Sequence, residues 1–60
     1  MQVKNIENIQ LDNGFIKVYK IGYNYNVHTY IENEYEEYTD LNLQEKENII
    51  NELLVTNILN

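Results

Sequence analysis

The sequence predicts an α+β fold: an antiparallel sheet of three to four strands with one C-terminal helix packed on one face. Three observations predict it. The turn signal Asp12-Asn13-Gly14 separates two stretches of β-forming residues, period-two alternation runs from Tyr19 to Ile31, and a capped helical stripe opens at Asn42.

Ahead of the first turn, Ile9 and Leu11 alternate with polar neighbours. Val3, Ile6 and Ile9 also recur at every third residue, which leaves a helical turn open for the start of this arm. Gly14 accepts unusual backbone angles without steric cost, and Asp and Asn favour turns by bonding their own backbone. Phe15 to Ile21 follows, so a hairpin joins roughly residues 5–11 to 15–21.

Tyr19, Ile21, Tyr23, Tyr25, Val27, Thr29 and Ile31 share one parity, and Lys20, Gly22, Asn24, Asn26 and His28 the other. Such alternation means one covered and one wet face. The run is long for a single strand. Gly22 to Asn24 bends or breaks it, and a bent strand and two strands joined by a tight turn both remain open. The next reversal falls at Asn33-Glu34, and Tyr35 to Thr39 reads as a short edge strand whose charges discourage unwanted pairing.

Asn42 followed by Glu45 fits a helix N-cap with its reciprocating acid, with Leu41 as the apolar residue before the cap. Leu43, Ile50, Leu54 and Ile58 then form one stripe, flanked by Ile49 and Leu53. Val55 and Leu59 fall off that stripe. Either the helix is covered on two sides or it ends near Leu54 with residues 55–59 extended; with nothing to punctuate the stretch, helix is expected, and these two side chains are candidates for self-association.

Residues 1–60 read as a single small domain, near the lower size limit for independent folding. With no cysteine and one histidine, neither a disulfide nor a thiolate metal site is available, and no cofactor or metal is expected. Self-association, most simply a homodimer, or a permanent protein partner is the expected source of extra stability. The longest apolar run is Leu53-Leu54-Val55, so the expectation is a cytoplasmic protein without a membrane span. Four lysines face ten acidic residues, giving a net charge of −6. That charge repels nucleic acid and favours the basic surface of another protein.

His28 is the only imidazole and sits on the polar parity. With neither Ser nor Cys in the chain it reads as an exposed strand histidine, and no catalytic set is expected. The strongest charge feature is the group Glu32, Glu34, Glu36, Glu37 and Asp40. It lacks the spacing of a calcium loop. As an imitation of nucleic-acid phosphate it is sparse, because same-face strand residues repeat at about 6.6 Å while duplex DNA carries a charge every ~1.7 Å of axis. A dimer setting two rows side by side would come closer, while the plainer reading is a solvated edge hairpin whose charges serve solubility. Tyr19, Tyr23 and Tyr25 are expected beneath the helix, and Tyr30 and Tyr38 on the opposite face. Tyr30, Tyr35 and Tyr38 beside the acids suit aromatic anchoring of a partner.

The stretch Tyr35-Glu36-Glu37-Tyr38-Thr39-Asp40-Leu41-Asn42-Leu43-Gln44-Glu45, an acidic, tyrosine-bearing hairpin arm running into a capped helix, resembles small inhibitor proteins of phages and mobile elements. In texture it is similar to the phage inhibitors of uracil-DNA glycosylase, and more generally to anti-CRISPR proteins. The resemblance implies a stoichiometric inhibitor of a host defence nuclease complex or DNA-processing enzyme. Its contacts would be Glu32, Glu34, Glu36, Glu37, Asp40, Tyr30, Tyr35 and Tyr38. The alternative is a structural or assembly homo-oligomer that buries Val55 and Leu59.

Overall fold

Turn chemistry decides this fold, because every connection in the sheet is a two-residue reversal. The computed structural model describes residues 2–58, without the side chain at 58. Four strands run in chain order: β1 (Val3–Leu11), β2 (Gly14–Ile21), β3 (Asn24–Ile31) and β4 (Glu34–Leu41). They pair antiparallel as a meander in the order β1-β2-β3-β4, and α1 (Leu43–Ile58) closes the chain against one face. The α+β architecture is thus the expected one, with four strands.

Asp12-Asn13 makes the first turn, and Asn13 accepts the Glu32 amide through its carbonyl at 2.9 Å, which ties this turn to the last one. Gly14 is required by close approach: a Cβ there would overlap the Tyr30 carbonyl oxygen. Gly22-Tyr23 makes the second turn, with φ positive at Gly22 (62°) as a type II′ hairpin demands at its first central residue. The long alternating run is therefore two strands. The third turn is Glu32-Asn33, one residue earlier than the sequence indicated. Both residues have positive φ, 53° and 68°, the signature of a type I′ turn.

A two-residue turn reverses parity, and this corrects the assignment of the tyrosines. Residues paired across such a hairpin share a face, and here Lys20 pairs with Tyr25 and Tyr19 with Asn26. Tyr25 therefore lies under the helix, Tyr19 lies on the opposite face, and Tyr23 sits in the turn, 96% exposed. The same reversal at Glu32-Asn33 puts Tyr38, paired with Val27, on the helix side, while Tyr30 pairs with Tyr35 on the open side.

Two bulges bend the edges. In β1 the register shifts between Asn5 and Glu7, and the Asn5 side-chain amide donates to the Val18 carbonyl at 3.0 Å. In β4 the shift falls opposite Asn26, with Asp40 at φ 59°. There the Asp40 amide donates to Asn26 Oδ1 at 3.1 Å, and Asn24 Nδ2 donates to Asp40 Oδ1 at 2.7 Å. Asx side chains tolerate left-handed backbone because they can bond it locally.

The core lies between sheet and helix. Ile16, Val18 and Val27 are fully buried, joined by Leu11 and Ile50, with Ile49, Leu53, Leu54, Tyr25 and Tyr38 packed around them. Burying each of the largest contributes about 1.5–3 kcal/mol. The helix starts as predicted: Asn42 Oδ1 accepts the Glu45 amide at 2.8 Å, and Glu45 Oε1 accepts the Asn42 amide at 2.9 Å. Leu43 departs from the expected stripe and is 52% exposed; beside Tyr25 it is Lys46 that packs, its ammonium 5.1 Å from the ring. The helix continues through Val55, which is 58% exposed, while Leu59 lies outside the described residues. Among the described residues no helix is long and apolar enough to cross a membrane.

Candidate functional site

The acidic residues singled out above all fall on β4 or the turn before it, and pleating then divides them. Glu34 and Glu36 pair with Ile31 and Thr29 and project to the helix side; Glu37 pairs with His28 and projects to the open side. Glu32 is in the turn and Asp40 in the bulge. Tyr38 belongs with the first pair, Tyr30 and Tyr35 with Glu37. The expected single surface is therefore two surfaces back to back, because side chains on a strand alternate.

On the helix side, the seam between β4 and α1 forms two shallow depressions that share Leu53. One, of about 220 Å³, is lined by Tyr38, Ile49, Glu52, Leu53 and Thr56. The other, of about 200 Å³, is lined by Thr29, Ile31, Leu53, Asn57 and the carboxylates of Glu32, Glu34 and Glu36. Glu52 was missing from the sequence reading. It lies on the helix, and only docking of α1 brings it across Tyr38 from Glu36. The Tyr38 hydroxyl registers this, since partial burial, then Glu36, then Glu52 push its pKa above 10.0. Glu52 thus adds one carboxylate on the helix wall to those that β4 and its preceding turn supply on the other.

No lysine neutralises this seam. Lys20 and Lys46 both sit over the Tyr25 ring, at 5.7 and 5.1 Å, towards the other end of β3. Among the described residues, the carboxylate that touches a basic side chain is Glu37, 3.1 Å from His28, on the opposite face. Like charges left unpaired around a depression project a negative field outward from it.

The open side carries an ordered aromatic cluster. Phe15 and Tyr30 stack with centroids 5.7 Å apart and planes 16° from parallel. His28 is held on three sides: Glu37 Oε1 lies 3.1 Å from Nε2, the Tyr35 hydroxyl 3.2 Å from Nδ1, and the Tyr19 ring 4.8 Å away. The sequence reading of His28 as simply exposed is corrected, since its side chain is only 25% exposed. A carboxylate, an imidazole and a hydroxyl in line invite a catalytic reading. The hydroxyl, however, is a phenol whose pKa is raised above 10.0 by desolvation, then by Glu37 and Tyr19. It keeps its proton at neutral pH, and the set fastens the ring in place. Among the described residues no group of three or more His, Asp or Glu is placed to hold a metal ion.

Fold and site together define a small four-stranded meander with a C-terminal helix, an acid-lined seam on one side and an aromatic sheet face on the other. No known protein family matches the chain, and no curated protein or solved structure is significantly similar to it.

Proposed function

We propose that this chain is an inhibitor-type binding protein, of phage or mobile-element origin and acting in the host cytoplasm. Its target is a basic, nucleic-acid-handling surface of another protein, such as a bacterial defence nuclease complex. The seam between β4 and α1 is the contact surface: Glu32, Glu34, Glu36 and Glu52 receive Arg or Lys side chains, and Tyr38 supplies apolar area with a polar tip. The observation that carries this reading is the two-walled acidic seam without a lysine counterion. Guanidinium groups pair with carboxylates in a fork geometry and are the usual means of gripping phosphate, so a surface built for nucleic acid also fits this one.

In the test, the recombinant chain is titrated into purified host defence nuclease complexes, with binding and cleavage measured. Tight, salt-sensitive binding is expected, weakened about tenfold or more in Glu34→Gln/Glu36→Gln/Glu52→Gln. Equal binding by wild type and the triple variant would remove the electrostatic reading.

A second reading, a structural homo-oligomer, has the exposed Val55 in its favour. It requires Val55→Glu to dissociate the protein, measured by light scattering.

A further inference from the structure

We propose that the open face of the sheet is closed by a second copy of this chain, sheet against sheet, about a two-fold axis parallel to β3. None of the seam residues lies on this face, so the inference stands apart from the function proposed above.

The pairing registers supply the argument. One row across the open face reads Lys17, His28, Glu37, on β2, β3 and β4. A cation and an anion thus sit one strand to either side of the central histidine, about 4.8 Å from it. Rotation about an axis along β3 exchanges left and right, and brings Lys17 of each copy over Glu37 of the other. An in-plane axis across the strands would instead set Lys17 over Lys17 and Glu37 over Glu37. The charge row therefore selects one two-fold arrangement and disfavours the other.

The neighbouring row agrees. Phe15, Tyr30 and Tyr35 pair across the same three strands. The same rotation lays Tyr30 over its own copy and Phe15 over Tyr35 of the second copy, an aromatic layer suited to offset or edge contact. Lys17 is available for this role: its ammonium lies 5.6 Å from the Phe15 ring, and it has no ion pair among the described residues. Glu37 contacts His28 through Oε1 yet its side chain stays 48% exposed, so its carboxylate is within reach of an incoming lysine. Sheets stacked face to face keep their strands nearly aligned about 10 Å apart, as an axis along β3 requires.

A second copy is also what the size of the core calls for. The largest fully buried side chains are Ile16, Val18 and Val27, all on the helix side. A chain of this length leaves about 40% of its unfolded surface exposed, and closing the aromatic face makes a four-layer dimer with a second interior. Single-stranded nucleic acid also stacks on open aromatic faces, but this face offers it one lysine on a chain of net charge −6.

The test uses the whole chain in light scattering and sedimentation over a concentration series. Wild type is expected at twice the 7.2 kDa chain mass. Lys17→Glu and Glu37→Lys each break two symmetry-related pairs and should weaken association about tenfold or more. The double variant Lys17→Glu/Glu37→Lys restores opposite charges across the axis and should recover the dimer. High salt should loosen the wild-type dimer, whereas association through an apolar Val55 contact would persist in salt. A wild type that stays at the chain mass overturns the proposal, as does a double variant no tighter than the single ones. Saturable binding of oligo(dT), lost in Phe15→Ala and Tyr30→Ala, would overturn it in favour of a nucleic-acid platform.

Discussion

The two faces of the sheet are built from the same four strands yet differ in kind. Under the helix the central side chains are aliphatic and buried: Ile16, Val18 and Val27. On the open side the central positions hold Phe15, Tyr30, His28 and Tyr19, ordered by stacking and hydrogen bonds but still touching solvent. Covered packing makes the fold stand. The open face is ordered beyond what solubility needs, and a surface in that condition is suited to meeting another one.

The contrast breaks first under truncation. Ile16→Ala should cost about 2–5 kcal/mol, enough to leave so small a domain largely unfolded. Tyr35→Ala, on the open face, should cost the isolated chain about 1 kcal/mol or less. Urea unfolding at low protein concentration checks both, and equal losses would erase the distinction between the faces.

The cap comes next. Asn42→Ala removes one half of the reciprocal pair with Glu45 and should cost about 1 kcal/mol. Because the cap acts on α1 alone, hydrogen exchange should report loosening of the α1 amides before any change in the sheet.

Much of this was legible in advance, and the failures share one cause. The capping box at Asn42 and Glu45, the turn at Asp12-Asn13 and the edge position of β4 depend on neighbours within a few residues. Which face Tyr19 and Tyr38 take depends on whether each turn has an even or odd number of residues: parity read straight through Gly22-Tyr23 misplaces Tyr19, and read straight through Glu32-Asn33 it misplaces Tyr38. The group from Glu32 to Asp40 was visible as a cluster, but its division between faces follows from the pleat, and the part played by Glu52 from helix docking. His28 was misread because both its partners, Tyr35 and Glu37, come from the adjoining strand.

The third turn offers a gain. Glu32 occupies left-handed backbone, which costs a side chain with a Cβ about 1–2 kcal/mol. Glu32→Gly should recover up to about 1 kcal/mol of that, since glycine also gives the unfolded chain more freedom. A higher melting temperature is expected, and an unchanged or lower one would deny that the turn is strained.

The smallest effect is alkaline. Tyr35 and Tyr38 have folded pKa values raised above 10.0, so both folded phenols hold their protons more tightly than unfolded ones. Their stabilising contribution is complete below pH 10.0 and is lost as the pH rises through the raised values. In a phenolate absorbance titration, Tyr35→Phe and Tyr38→Phe should each remove a late-titrating group. Glu52→Gln should bring Tyr38 down, whereas Glu37→Gln should bring Tyr35 down.

That the helix side holds the fold while the open face holds a second copy is tested most directly by urea midpoints at about 1 and 100 µM chain. Linked association predicts a stability gain of about 2–3 kcal/mol per mole of dimer over that range, with the gain reduced in Lys17→Glu and recovered in Lys17→Glu/Glu37→Lys. A wild-type midpoint identical at both concentrations would contradict it.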